Sequence, residues 1–299
     1  MHSSDDALAQ AIAVRRFGPK VQVTHMTQST GPVYNLWLPD RRHILKLAES
    51  TDDRSILKEA RVIALLQRHR VPSPIVEFCG MDDASAGRPF LLMISAGDQT
   101  VMDCLAADPH HALMLAAEMG TILAAIHGID LPASGDIQVD HIVPHNPQAQ
   151  VQRLHHLADW AVGQRLLRAE DAAMFNRLPM PNIDGTALCH MDFNAVHCVL
   201  SDGHIAAVVD WESAWAANPG IDLAVAHAYL EYHCPEALVR RFLDAYAAAR
   251  PLPPEYAAAY LPVRLAHLLG LMWVWHAQRL PENVHRAAQI FTTLSASRR

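Results

Sequence analysis

The stretch LCHMDFNAVHCVLSDGHIAAVVDWE, residues 188–212, constrains this chain more than any other part of it. Two apolar runs flank Asp202-Gly203, a dipeptide that supplies the positive backbone angles of a two-residue hairpin loop. If Ser201 faces His204 across that loop, the ladder sets His197 opposite Val208. Asp210 then emerges on the same face, a diagonal neighbour of His197 roughly 7–8 Å away at the backbone. Asp192 lies in the loop that enters the hairpin. Three polar groups thus gather where the two strands open, and side chains at that separation can converge on one ion.

A second pair of residues asks for a partner. Lys46 sits in the strand-like run His43-Ile44-Leu45-Lys46-Leu47, and Glu59 in a helical segment spanning about residues 53–70, which ends before Val71-Pro72-Ser73-Pro74. Helical spacing puts Glu59 on the stripe of Ile56, Ile63 and Leu66, the buried side. A buried carboxylate without a positive partner is costly, and Lys46 is the nearest candidate. The competing reading is a lysine that buries its stem and keeps its head in water.

Around these two features the chain divides into unlike parts. Residues 21–93 read as short strands separated by turns, interrupted by one helix. From His110 onward the spacing is helical, with Leu113, Ala116, Ala117, Gly120, Leu123, Ala124 and His127 marking one long helix. The expected fold class is therefore α+β and bilobal: a small β-rich lobe over residues 1–94, and a larger, mainly helical one over residues 95–299.

Order and spacing then carry a resemblance. His190-x-Asp192-x-x-x-x-His197, the apolar strand, the turn and Val209-Asp210-Trp211-Glu212 resemble the catalytic and metal-binding motifs of the aminoglycoside phosphotransferase and choline kinase superfamily, relatives of the protein kinases. Lys46 matches that family's phosphate-contacting lysine, Glu59 its ion-pair partner, and Met93, Ile94 and Ser95 its adenine-contacting hinge. Asn218-Pro219-Gly220-Ile221-Asp222-Leu223-Ala224 is similar to the family ending G-D-P-x-x-D-L-A. The resemblance implies transfer of the γ-phosphate of ATP or GTP to a hydroxyl of a small molecule, aminoglycoside-, choline- or sugar-like. It implies Asp192 as base and Asp210 as ligand to Mg2+, with Glu212 as an auxiliary ligand and His190 shaping the loop.

Two positions depart from the pattern. The family's metal-binding asparagine is His197 here, whose nitrogen suits Mg2+ less well and Mn2+ or zinc better. That change also admits a catalytically silent nucleotide-binding protein. Asn194 is a tempting substitute ligand, but its place in Asp-Phe-Asn is itself familial. The nucleotide loop Gln28-Ser29-Thr30-Gly31-Pro32 holds a single glycine, and Pro32 removes an amide.

Other residues admit plainer readings. Trp211 and Trp215 could line a pocket for a cationic group or pack in the core, the expected role of Trp273 and Trp275. Asp222 could contact a substrate amine or, by preference, cap the helix that follows. Cys189, His190, His197 and Cys198 form a weak zinc alternative, and His110-His111 and His155-His156 read as surface residues. A net charge of −7 without a basic block argues against nucleic acid. Five scattered cysteines suit a reducing cytoplasm. The acidic start of the chain lacks the pattern of a secretory signal. The apolar segment Leu265 to Trp275 reads as a buried helix too short to span a bilayer, so no membrane partner is expected. A monomer or homodimer fits.

Overall fold

The computed structural model describes residues 2–26, 31–105 and 108–297. Its first part is an antiparallel sheet of β1 (Gln22–His25), β2 (Val33–Trp37), β3 (Arg42–Leu47), β4 (Ile75–Gly80) and β5 (Phe90–Ile94), in the order β1-β2-β3-β5-β4. Two helices cover its faces: α1 (His2–Phe17) and, between β3 and β4, α2 (Ser55–Arg68). Side chains alternate along β3, and this alternation places Lys46. Leu45 and Leu47 pack on the side of Ala9, Ile12 and Ala13 of α1. Lys46 therefore points the other way, toward α2.

The remainder is mainly helical. It runs β6 (Gln99–Thr100), α3 (Val101–Cys104), α4 (Pro109–Ile126), β7 (Gly135–Ile137), β8 (Ile142–Val143), α5 (Pro147–Gly163), α6 (Ala169–Asn176), β9 (Ala187–Cys189), β10 (Cys198–Ser201) and β11 (His204–Val208). A single 3-10 turn, Trp211–Ser213, leads to β12 (Trp215–Ala217), α7 (Pro219–His233), α8 (Glu236–Ala249), α9 (Tyr256–Ala277) and α10 (Pro281–Ala296). Buried side chains of α4 and α8 join those of α2 and the β10–β11 hairpin in one core. At Gly120 a Cβ would sit 2.2 Å from the Phe242 carbonyl, so only glycine permits that approach of α4 to α8. A second core lies between α5, α6, α9 and α10.

Two expectations need correcting. The hairpin turn forms at Asp202-Gly203, both with positive φ (52° and 79°), but Cys198 rather than His197 stands opposite Val208. A bulge is the cause: Val199 pairs with Ala207 and Leu200 with Ile205, leaving Ala206 as the extra residue. His197 now bonds through its carbonyl to the Val209 amide at 2.9 Å and stays beside Asp210. The late apolar helix is also longer than expected. α9 has 22 residues with Pro262 inside it, and by length and composition it is long enough to cross a membrane. Here it packs against α5, α7 and α10. The N-terminal helix α1 was not foreseen.

Candidate active site

Lys46, Glu59 and Asp210 meet between the sheet and the hairpin. Lys46 Nζ lies 2.7 Å from Glu59 Oε2 and 2.9 Å from Asp210 Oδ1. Glu59 is 1 % exposed, and its second oxygen, Oε1, is buried with no hydrogen-bond partner. Burial acts against the charge on Lys46, but Glu59 and then Asp210 outweigh it and hold the ammonium charged. Burial likewise acts to raise the Asp210 carboxyl, yet Lys46 and His197 bring it below its ordinary value.

α2 is clasped from outside as well. Lys58, next to Glu59, bonds Asp136 of β7 at 2.7 Å, and Arg61 bonds the Gln138 carbonyl. Asp136 in turn faces Trp215 across the β7–β12 pairing, five positions after Asp210.

The loop before the hairpin is held by side chains that the sequence left open. Asp222, fully buried on α7, accepts the backbone N–H of His190 at 2.7 Å and of Met191 at 2.8 Å. It also pairs with His127 Nε2 at 3.0 Å, whose other nitrogen meets the Tyr246 hydroxyl at 2.8 Å. Burial would raise the Asp222 carboxyl, but the bond from His127 wins and holds it low. Both expected roles of Asp222 therefore give way. It is closed off from any substrate amine, and the cap of α7 is Asn218, which accepts from the Gly220 amide at 2.9 Å.

Met191 and Asp210 both adopt left-handed backbone, at φ 66° and 69°. Such conformations cost about 1–3 kcal/mol each in a non-glycine residue, and here they bracket the polar cluster. His190 is buried, bonds the Val209 carbonyl at 3.0 Å and lies against His197 and Trp211. Burial, then His197, push it down to about 4, so its ring is neutral. Asn194 ties the turn together: its Oδ1 accepts from the Val196 and His197 amides at 3.0 and 3.1 Å. Trp211 is 0 % exposed with its indole N–H on the Val208 carbonyl, so it is a core residue and lines no open pocket. Trp215 is partly exposed and lies against His145.

At the mouth, Asp192, His197, Asp210 and Glu212 crowd together. His197 Nδ1 is 3.7 Å from Asp192 Oδ2, and its Nε2 is 3.4 Å from Asp210 Oδ2. Burial raises the Asp192 carboxyl against the pull of His197 and Asn194. Partial removal from water, then the charge of Asp210, raises that of Glu212. Asp210 adds to both rises while its own carboxyl stays low, so the three carboxylates form one negatively charged donor set. Their hard oxygens fit a divalent cation such as magnesium.

The hinge residues are committed differently. Met93 is buried, and Ile94 lies in β5 between β3 and β4. Ser95 gives its amide to the Arg42 carbonyl at 3.0 Å, and its hydroxyl meets the Arg42 guanidinium at 2.7 Å. Gly97 touches the hairpin so closely that a Cβ would fall 1.7 Å from the Leu200 carbonyl. Gly31 borders β2, with its carbonyl taken by the Val33 amide at 3.0 Å. The rest of the expected nucleotide loop, Gln28 to Thr30, lies outside the described residues. The zinc alternative loses its cysteines: Cys189 Sγ faces the Ala217 carbonyl at 3.6 Å, and Cys198 is buried in the core. On the far side of Asp192 stands Tyr229 of α7, its hydroxyl kept protonated by burial and by the Asp192 charge, with His233 beside it.

Known proteins of one enzyme family share this fold. The model of the phosphotransferase enzyme family matches residues 28–260. No curated protein matches the sequence. Among solved structures, a thermostable mutant of aminoglycoside phosphotransferase APH(4)-Ia superposes with a TM-score of 0.67 at 15 % identity, covering 96 % of this chain and 98 % of its own. The GDP complex of an aminoglycoside 2'-phosphotransferase-IIIa mutant gives 0.69 at 14 % identity, with 98 % of both chains covered. A putative aminoglycoside phosphotransferase from Ralstonia eutropha gives 0.65 at 14 %, covering 97 % and 98 %. The chain belongs to the phosphotransferase enzyme family and is a small-molecule kinase with a protein-kinase-like fold.

Proposed function

We propose that the protein transfers the γ-phosphate of ATP or GTP to a hydroxyl of a small molecule, with Asp192 as the base. The observation that carries this reading is the meeting of Lys46, brought by the sheet, with Asp210, brought by the hairpin, beside a half-buried Asp192. Phosphoryl transfer needs little covalent help from a protein; it needs positioned reactants and neutralised charge. Lys46, aimed by Glu59, contacts the phosphates. Asp192 orients the acceptor hydroxyl and takes its proton, and its raised carboxyl makes it a stronger base than an ordinary aspartate. Asp210, with Glu212 beside it, would hold Mg2+, whose charge offsets that of the transferring phosphoryl group. Gly31 and the segment Met93, Ile94 and Ser95 would border the nucleotide, the Ser95 amide and hydroxyl being already taken by Arg42.

Adenine and guanine nucleotides both occur among the structural neighbours. APH(4)-Ia mutants form ternary complexes of ADP or AMP-PNP with hygromycin B, and the 2'-phosphotransferase was solved with GDP. Hydroxylated amines of that kind, simpler amino alcohols and sugars are the acceptor class we infer here. The five thiols, all free, suit a cytoplasmic setting. The test is a screen of such acceptors against ATP and GTP with Mg2+ or Mn2+. Nucleotide-dependent phosphorylation of at least one acceptor is expected. Tight nucleotide binding with no transfer to any acceptor would favour a silent binding protein, the second reading raised by His197.

A further inference from the structure

The two ring nitrogens of His197 face different partners. Nδ1 lies 2.9 Å from the backbone carbonyl of Asp192, a group that only accepts. Asn194 Nδ2 is 3.1 Å from the same nitrogen. That amide cannot be turned over, because its Oδ1 already accepts two backbone N–H groups. Both hydrogens of Nδ2 have acceptors, Asp192 O at 3.0 Å and Asp192 Oδ1 at 3.2 Å. Nδ1 therefore receives no hydrogen from Asn194 and donates its own to Asp192 O. With Nδ1 committed as a donor, the Nε2 lone pair is the one the ring can offer a cation.

That lone pair points at a carboxylate. Nε2 is 3.4 Å from Asp210 Oδ2, and two electron-rich atoms at that distance repel unless a proton or a cation joins them. Bonds of about 2.1 Å place adjacent ligand atoms of an octahedral ion about 3 Å apart, close to this separation. Metal-bound histidines also characteristically give their second ring N–H to a backbone carbonyl or carboxylate, which orients the ring as His197 is oriented here.

We propose that His197 binds, through Nε2, the same divalent cation as Asp210, and that this nitrogen shifts the site's preference from magnesium toward manganese. The inference rests on the phosphotransferase reading of the site. Magnesium favours an all-oxygen shell. Manganese shares its octahedral habit but accepts imidazole more readily. The histidine that departs from the family asparagine is then a change of metal preference, with the turnover machinery intact.

The experiment loads the protein with Mn2+ and AMP-PNP and records pulsed electron paramagnetic resonance. A nitrogen coupling that changes when histidine is 15N-labelled, and that vanishes in His197→Asn, is expected. A parallel binding titration should show the Mn2+-over-Mg2+ preference falling in His197→Asn, because the substituted amide offers oxygen in place of imidazole nitrogen. Should the variant fail to fold, labelling of the wild-type protein still decides whether a histidine is bound. Bound manganese without a histidine coupling overturns the assignment and leaves the phosphotransferase reading standing. A coupling with unchanged preference keeps the ligand and overturns the selectivity. Failure to bind either metal with AMP-PNP overturns both the assignment and the reading beneath it.

Discussion

Lys46 and Asp210, 164 positions apart in sequence, share a 2.9 Å ion pair that joins the N-terminal sheet to the mouth of the β10–β11 hairpin. Glu59 holds the same ammonium from the other side at 2.7 Å. Replacing Lys46 with methionine leaves Glu59 buried beside an apolar chain. Breaking one side of a buried ion pair costs about 3–5 kcal/mol, and the loss should appear as a lower melting temperature. Lys46→Met/Glu59→Met should recover most of that stability, because the buried Glu59 carboxylate is removed with its partner and only the more exposed Asp210 loses its ammonium. Nucleotide turnover should stay low in both, since both lack the lysine we propose contacts the phosphates.

The Lys58–Asp136 bond fastens the outside of α2 to β7 and so steadies Glu59, the neighbour of Lys58. A charge-assisted hydrogen bond of this kind contributes about 1.5–3 kcal/mol. Lys58→Asp should lower thermal stability and raise the nucleotide KM more than it lowers kcat. The swapped pair Lys58→Asp/Asp136→Lys should restore part of both. A double variant no better than the single ones would show that the bond does not position α2.

Asp222 holds the loop of Asp192 through the amides of His190 and Met191. Its folded-state carboxyl is held below the ordinary value, so its stabilisation is present above the unfolded value, about 3.9. It is lost as the pH falls through the depressed folded value. Stability of the wild type should therefore drop below roughly pH 4, and Asp222→Asn should flatten that limb. The variant should also lose about 3–5 kcal/mol at neutral pH. Its kcat should fall further than its nucleotide affinity. Urea melts across pH, paired with steady-state kinetics, provide the check.

The features written locally in the sequence were the legible ones. Alternation in β3 and the stripe of α2 located Lys46 and Glu59, and Asp202-Gly203 located the turn. The helix expected over residues 53–70 spans Ser55–Arg68. The bulge at Ala206 left no such mark, because alanine signals neither a kink nor a turn, and the register slipped by one. Asp222 was misjudged for a related reason. An aspartate early in a helix looks like a cap, and only the fold reveals that its carboxylate meets two amides more than thirty residues upstream. The β8–β7–β12–β9 sheet has strands of two or three residues, too short for a period to register. α1 carries Ala9, Ile12 and Ala13 at helical spacing, a signal present but faint beside its charges.

The central claim is that Asp192 activates the acceptor hydroxyl. Wild type and Asp192→Asn should be compared for γ-phosphate transfer to an acceptor found by the screen, with nucleotide affinity and melting temperature measured on the same samples. Asp192→Asn should bind nucleotide and melt much as the wild type does, while kcat falls by about 10²–10⁴-fold, the range of a lost general base. A variant that transfers phosphate at the wild-type rate would contradict the account.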